Sequence, residues 1–269
     1  MEEPFQLQED HSLLQLAGLE DSNVVLGMTT RIGGNSEAPY NTLNMGYHVL
    51  DNINHVNQNY DYVSKKLSIP KNRWISAKQV HKTDVLIVDK TFLENNQQTP
   101  PNFDIQYDGF ITKEKNIILT AVYADCVPLF FYDTDGSCVG LAHAGWRGTV
   151  KGIGSRIISC FKEQGIPIES IRVAIGPSIS QLCYEVDRNV TDQIPLNYHT
   201  DEILKQKDEN HFLLDLKQLN KRILLETGLE EKQIKVSKYC TYRSHDLFFS
   251  YRRDNGRTGR MMAFIGLKG

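Results

Sequence analysis

The sequence lacks the features of secreted, membrane-spanning and nucleic-acid-binding proteins. Its first residues, Met1-Glu2-Glu3-Pro4, have neither the positive charge nor the apolar stretch of a signal peptide. No apolar run approaches the roughly 18–20 residues that cross a bilayer. The 269 residues carry a formal net charge of -3 without any block of Lys or Arg, so nucleic acid and anionic membranes gain no electrostatic support. We therefore expect a cytoplasmic protein with no nucleic-acid or membrane partner.

Cysteine is also scarce, and its spacing argues against disulfides. The five cysteines form no C-x-x-C pair, and their odd number is untypical of a disulfide framework. We expect reduced thiols, as in most cytosolic proteins. The sequence also lacks internal repeats and low-complexity tracts, which excludes a solenoid.

The overall composition is typical of a globular protein, and the sequence contains many strand-like runs. Apolar residues make up 40% of the chain and charged residues 23%, close to the average for folded domains. Short runs rich in β-branched and aromatic residues predict strands. They cover Val24–Thr29, Trp74–Val80, Val85–Val88, Ile117–Tyr123, Leu129–Tyr132, Cys138–Ala142 and Val173–Ile175.

Two helices and one long loop are predicted between and after these strands. An apolar stripe runs from Val150 to Phe161 at helical spacing. A second helix begins after Asp215, with Gln218 completing a capping box and Gly228 as its stop. The polar run Glu94–Asn102 predicts a surface loop. Strands outnumber helices without alternating with them, which favours an α+β fold with mixed sheets.

Three candidate metal ligands follow predicted strands. His81, Cys126 and His143 offer two imidazoles and one thiolate, a donor set typical of catalytic zinc with a fourth position left open. Their separations of 45 and 17 residues match no local zinc motif, so only the fold can bring them together. If it does not, they are ordinary core residues.

Charged residues near these ligands suggest an anion site. Asp125 beside Cys126 is costly to bury unless it is solvated or paired, as it would be in a site. Arg147 follows His143 and could clamp phosphate or carboxylate, where a helix beginning near Thr149 would also favour anions. Arg31 and Arg253 also lie in polar turns, and these observations leave open which arginine binds phosphate.

Seven motifs in one order carry a family resemblance. They are Thr29–Gly34, Leu43–Gly46, Gln79–His81, Ala124–Pro128, His143–Gly148, Ile175–Pro177 and Phe249–Arg253. With them, the sequence from about Val24 onward resembles the laccase-domain family. This family was formerly labelled multicopper polyphenol oxidase and is also called purine nucleoside phosphorylase or peptidoglycan editing factor.

The resemblance implies a fold, a cofactor and an activity. It implies an N-terminal extension over residues 1–23 and a single catalytic domain over 24–269, layered α/β/β/α and distantly similar to cysteine-hydrolase-like toxin domains. It implies one zinc ion on His81, Cys126 and His143. The implied reactions are phosphorolysis of adenosine, inosine, guanosine and methylthioadenosine, and deamination of adenosine. The nucleoside and phosphate would contact Arg31, Asn44, Gln79, Arg147 and Arg253.

The older family label can be tested by counting ligands. A multicopper oxidase needs about ten histidines and a cysteine, usually with His-x-His pairs. This chain has eight histidines and no His-x-His. A multicopper cluster is therefore not expected.

Three other functions stay open at this point. A peptidoglycan-precursor editing amidohydrolase, which removes misincorporated serine, would use the same zinc-bound water. A metal-free hydrolase would use Cys126 as nucleophile and His143 as base, and a non-enzymatic binding module is the third. For deamination, Asp125 or Asp84 would move the proton. A homodimer is compatible with the sequence.

Overall fold

A computed structural model of the protein describes residues 2–96 and 104–269. The strands in these ranges are β1 Phe5–Leu7, β2 Leu13–Leu16, β3 Val24–Thr29, β4 Trp74–Ile75, β5 Val85–Val88, β6 Gly109–Thr112, β7 Ile117–Tyr123, β8 Val127–Asp133, β9 Val139–Ala144, β10 Ile171–Ile175, β11 Glu185–Asp187, β12 Leu204–Gln206, β13 His211–Leu214, β14 Ile234–Val236 and β15 Met261–Leu267. The α-helices are α1 Ile53–Leu67, α2 Lys90–Asn95, α3 Trp146–Val150, α4 Ile153–Glu163, α5 Arg188–Thr191 and α6 Leu216–Glu226.

Two six-stranded sheets form the framework. The first has the order β1-β2-β3-β15-β7-β4, and the second β14-β10-β8-β9-β6-β5. Both are mixed, because β4 pairs parallel with β7, and β5 with β6, whereas most other pairs are antiparallel. A small sheet of order β11-β13-β12 lies apart from them.

The apolar side chains form three clusters that separate four layers. One cluster joins α1 to the first sheet and includes Val56 and Phe264. The next fills the space between the two sheets and includes Leu119 and Phe130. The third joins the second sheet to α3, α4 and α6, with Ile157 among its buried residues. The predicted α+β fold, layered α/β/β/α with mixed sheets, is confirmed.

Most predicted strands are present, but one is largely wrong. Three of them, over Val24–Thr29, Val85–Val88 and Ile117–Tyr123, have the predicted bounds. The strand predicted over Trp74–Val80 ends at Ile75. Beyond it, Lys78 forms only an isolated bridge with Gln106, and the N–H groups at 80–82 bond to a buried carboxylate instead of a neighbouring strand.

The helix predictions need two corrections. The stripe from Val150 to Phe161 is not one helix, because Gly152 adopts a left-handed φ of 81° that separates α3 from α4. The Asp215 cap is confirmed, since its carboxylate accepts the Gln218 N–H at 2.9 Å. The capping box would also need the Asp215 N–H to donate to the Gln218 side chain. That part of the prediction is wrong, because the Asp215 N–H donates to the Ile203 carbonyl.

The remaining sequence predictions concern the N-terminal stretch and the polar loop. The region expected as an N-terminal extension contributes β1 and β2, which join the first sheet through β3. Of the predicted loop Glu94–Asn102, the first two residues end α2, and residues 97–102 lie outside the described ranges. In the parts of the chain that are described, no helix combines the length and apolarity needed to cross a membrane.

Candidate metal centre

The fold brings the three candidate ligands together at one end of the second sheet. The ligand atoms of His81, Cys126 and His143 all lie within 4.8 Å of one another. β8 and β9 pair so that Val127 faces Ala144, which puts Cys126, just before β8, beside His143 near the end of β9. The helix expected near Thr149 begins earlier, at Trp146, so that His143 is only three residues from its start.

A buried carboxylate, Asp108, joins the His81 loop to His143. It accepts the N–H groups of Val80, His81 and Lys82 at 3.0, 3.0 and 2.8 Å. It also lies 2.8 Å from Nδ1 of His143. A carboxylate only accepts, so Nδ1 carries the proton and Nε2 is left for a metal.

The ionisation of these groups follows from their contacts. Burial alone would raise the pKa of Asp108, but the hydrogen bond from His143 and the loop N–H groups hold it below its ordinary value. Burial would lower the pKa of His143, yet Cys126 and Asp108 together raise it to about 9. Burial and the neighbouring His143 lower the pKa of His81.

The site has room for a metal ion. Zinc with tetrahedral bonds of about 2.0 Å to nitrogen and 2.3 Å to sulfur would separate its donors by about 3.3–3.6 Å, and the three donor atoms here lie within 4.8 Å of one another. Gly145 borders the same space, since a Cβ there would lie 2.6 Å from Nδ1 of His81 and 3.2 Å from the Cys126 sulfur. The donor set, one thiolate and two imidazoles, fits zinc.

Asp125 is tied to the opposite wall by three hydrogen bonds. Its carboxylate accepts from the Thr241 hydroxyl at 2.6 Å, the Ser250 hydroxyl at 3.0 Å and the Arg252 N–H at 2.8 Å. Its backbone has a φ of 89°, which is strained for a residue with a side chain. These contacts fix the turn that presents Cys126.

A cavity of about 850 Å³ opens over the three ligands. Arg147, Arg252 and Arg260 line it, each with its guanidinium over an aromatic ring. Burial lowers the pKa of Arg260, which is half-buried, whereas Arg147 and Arg252 are exposed. Tyr47, His48, Tyr184 and Tyr251 are also in the wall and add flat surfaces suited to an aromatic ligand.

Two of the five predicted substrate contacts line this cavity. Gln79 is held there by two bonds to Val122. The Arg147 guanidinium stacks on Trp146 at 4.3 Å, and in residues 2–96 and 104–269 no hydrogen bond to it is found. It is therefore available to an anion in the cavity.

The other predicted contacts lie outside the cavity wall. Arg31 donates to the carbonyls of Asn41 and His245, and Arg253 donates to several loop carbonyls and to Asp254. Asn44 is buried and its Oδ1 accepts the Arg260 N–H at 2.9 Å, so it acts on the cavity through Arg260. Asp84 is exposed and does not line the wall.

Sequence reasoning missed Asp108, Arg252, Arg260 and the aromatic wall. Asp108 directly precedes the apolar run of β6, and a polar residue at the edge of a strand is the signal that pointed to the ligands themselves. Arg252 lies within a motif already singled out, Phe249–Arg253. Arg260 stands one residue before β15 and carries the same strand-edge signal.

Known proteins resemble the chain over nearly its whole length. A family model described as "Multi-copper polyphenol oxidoreductase laccase" matches residues 25–268. "Purine nucleoside phosphorylase YlmD" of Bacillus subtilis is 42% identical over 250 residues, 92% of this chain and 90% of that protein. The protein of the same name from Geobacillus stearothermophilus is 38% identical over 262 residues, 96% of each chain.

Solved structures agree with these sequence relatives. The crystal structure of YlmD from Geobacillus stearothermophilus superposes with a TM-score of 0.91 at 37% identity, covering 100% of both chains. The crystal structure of Bacillus licheniformis hypothetical protein YfiH gives 0.90 at 38% identity, covering 98% of this chain and 99% of the other.

Proposed function

The chain belongs to the laccase-like family of that match, and from this membership and its ligand trio we propose that it is a zinc-dependent purine nucleoside phosphorylase. The observation that carries the proposal is the joining of His81, Cys126 and His143 with three arginines in one cavity. Relatives named purine nucleoside phosphorylase support it. The substrates would be adenosine, inosine, guanosine and methylthioadenosine with phosphate, and adenosine deamination would be a second reaction.

The cavity supplies what phosphorolysis needs. A bond forms between a phosphate oxygen and ribose C1′ while the bond from C1′ to the purine nitrogen breaks, and negative charge develops on the purine. Arg147, Arg252 and Arg260 can hold phosphate by charge-assisted bonds. Tyr184 and Tyr251 offer ring surfaces for the base.

The ligand trio would hold the zinc. When bound, zinc acts as a Lewis acid and lowers the pKa of a coordinated water toward about 7. For deamination, a nearby group must move a proton. Asp125 is the wall carboxylate, but its hydrogen bonds favour a positioning role. His48 has a pKa lowered by burial and by Arg260, so it is neutral at pH 7 and able to accept a proton.

The oxidase chemistry in the family description is not proposed. Within the described residues, a single cluster of His, Cys, Asp or Glu side chains could hold a metal ion, and this cluster has three members. A type-1 copper and a trinuclear cluster need about ten histidines between them. The ligand supply is too small.

Incubation of the zinc-loaded protein with adenosine and phosphate tests the proposal. The expected products are adenine and ribose 1-phosphate, with no adenine released when phosphate is omitted. Inosine formation in either sample would report deamination separately. Release of serine from a serine-containing peptidoglycan precursor, without any phosphorolysis, would replace the proposal with the amidohydrolase.

Arg147→Ala should weaken phosphate binding, whereas Arg31→Ala should not. A charged hydrogen bond is worth roughly 1.5–3 kcal/mol, so the KM for phosphate should rise about 10- to 100-fold in the first variant. Arg31 already bonds to two carbonyls outside the cavity, which makes it the matched control. Steady-state kinetics with varied phosphate measure both. A raised phosphate KM in Arg31→Ala alone would return the role to Arg31.

A further inference from the structure

A second cavity, separate from the metal centre, is lined by Cys240, a cysteine that the proposed reaction does not use. The cavity has a volume of about 560 Å³ and is lined by Ser180, Cys240 and Arg243 among others. Cys183 is half-buried. Its N–H donates to the Ser180 carbonyl at 3.0 Å, the Ser180 hydroxyl lies 3.1 Å from the Cys240 sulfur, and the thiols of Cys183 and Cys240 interact with one another. The two sulfurs are thus close neighbours on segments almost 60 residues apart in the sequence.

The Cys240 sulfur is surrounded by hydrogen-bond donors. The N–H and hydroxyl of Ser180 point to it at 3.4 and 3.1 Å. The N–H groups of Tyr242 and Arg243 also donate to it. Burial alone would raise the pKa of this thiol, but the four donors hold it below its ordinary value, and the buried ammonium of Lys217 lies nearby. This environment stabilises the thiolate, the nucleophilic form.

The other core cysteines have the opposite environment. Cys138 is fully buried, and burial together with Asp133 raises its pKa to about 12. Cys160 is also fully buried, and burial raises its pKa. Both are therefore unreactive structural thiols, and they provide internal controls.

We propose that Cys240 is a peroxide-reactive thiol and that Cys183 resolves it into a disulfide. The Cys240 thiolate attacks one oxygen of hydrogen peroxide, so that an S–O bond forms, the O–O bond breaks and hydroxide leaves, taking up a proton to become water. The Cys183 sulfur then attacks the resulting sulfenic acid. An S–S bond forms, the S–O bond breaks and a second water leaves. Two thiols are oxidised by two electrons and one peroxide is reduced; a dithiol reverses the change.

The disulfide would join two segments that reach the catalytic cavity. Tyr184 follows Cys183 and lies in that cavity's wall. Thr241 follows Cys240 and donates to Asp125. Oxidation would therefore fix the spacing between two parts of the wall.

Peptide mapping of the zinc-loaded full-length protein tests the proposal directly. After a brief treatment with equimolar hydrogen peroxide, free thiols are alkylated and the protein is digested with trypsin, which places Cys183 in peptide 173–188 and Cys240 in peptide 239–243. The expected result is a cross-linked pair of these peptides that dithiothreitol separates. Cys240 should be consumed about tenfold faster than Cys160 in peptide 157–162. Equal consumption of Cys240 and Cys160 would overturn the proposal.

Variants identify the order of attack and the source of reactivity. In Cys183→Ser, a 1,3-dione probe should trap sulfenic acid on Cys240, whereas in Cys240→Ser it should trap none on Cys183. Ser180→Ala removes the closest donor and should slow Cys240 oxidation several-fold. Ser178→Ala is the matched control, because Ser178 is buried nearby and its hydroxyl makes no hydrogen bond within the described chain. Sulfenic acid on Cys183, or equal slowing by both serine variants, would contradict the assignment.

Discussion

Cys126→Ala is expected to remove tightly bound zinc and purine release together. Cys126 is the only sulfur donor of the trio, and its loss leaves two imidazoles that cannot close a three-ligand site. The Lewis acid would be lost with the metal, which is worth several kcal/mol in a transition state. We expect kcat/KM for adenosine phosphorolysis to fall by about 10³-fold, the equivalent of about 4 kcal/mol. Elemental analysis and the adenine-release assay measure the two effects on one sample.

Cys160→Ala is the control for this experiment. Cys160 is buried in the core cluster beside the second sheet and belongs neither to the ligand trio nor to the cavity wall, so the variant should keep both zinc and activity while losing some stability. If Cys126→Ala lost activity but the wild-type protein held no zinc and still turned over, the metal-free hydrolase with Cys126 as nucleophile would become the better description. Retention of zinc and activity in Cys126→Ala would contradict the site assignment altogether.

Asp108→Asn should have the second-largest effect, on folding and on metal affinity at once. The amide can accept through only one oxygen, and its NH₂ group would face the N–H groups that Asp108 now binds. We expect a loss of about 3 kcal/mol in the free energy of unfolding, as for other broken buried charge networks. Zinc affinity should fall about 10- to 100-fold because His143 loses its orienting partner. Denaturant unfolding and competition with a chelator measure these quantities.

The pH dependence of stability separates this effect from a general loss of packing. The pKa of Asp108 is lower in the folded protein than in the unfolded chain. Its stabilising contribution is therefore complete above the unfolded pKa of about 3.9 and is lost as pH falls through the folded value. Asp108→Asn should flatten the acid side of the stability profile. Asp84→Asn, at an exposed carboxylate close by, should leave that profile and zinc binding unchanged.

The local sequence pattern predicted the main strands because the burial of apolar side chains determines where they form. Ile117–Tyr123 and Val85–Val88 are apolar runs that only a core can accommodate, and both have the predicted bounds. The break at Gly152 was not predicted, because the apolar stripe continues across it and only the left-handed backbone interrupts the helix. Hydrophobic periodicity reports which face is buried, not whether the backbone stays helical at one residue.

α1 was missed although its signals are in the sequence. Val56, Tyr60 and Val63 recur at helical spacing and are buried, and Asn52 is a good N-cap whose side chain accepts the Asn54 N–H. Buried Asn59 lies on the same face, three residues after Val56, and its polar side chain interrupts the apolar stripe. It is buried because it bonds to the loop at Asn35, a tertiary contact that no local pattern contains.

The three candidate ligands could be selected from the sequence, but the groups that support them could not. His81, Cys126 and His143 each follow a strand, and the fold then gathers them. Arg31 and Arg147 carry equal charge in similar turns, and only the three-dimensional path of the chain sends one guanidinium to carbonyls and the other to the cavity. Asp108 makes four hydrogen bonds to groups that are distant in the sequence. These bonds form only once the sheets have assembled, so no local pattern reveals them.

Because of those bonds to Asp108, the conformational entropy of the loop that carries His81 is lost when the protein folds and not when a metal binds. In a zinc finger, the metal must organise an unfolded chain, so removing it denatures the domain. Here the loop carrying His81 is fastened during folding by a carboxylate within the protein, so a metal ion would meet candidate ligands that the fold already orders. The protein should therefore stay folded in the presence of a chelator and accept zinc again without refolding.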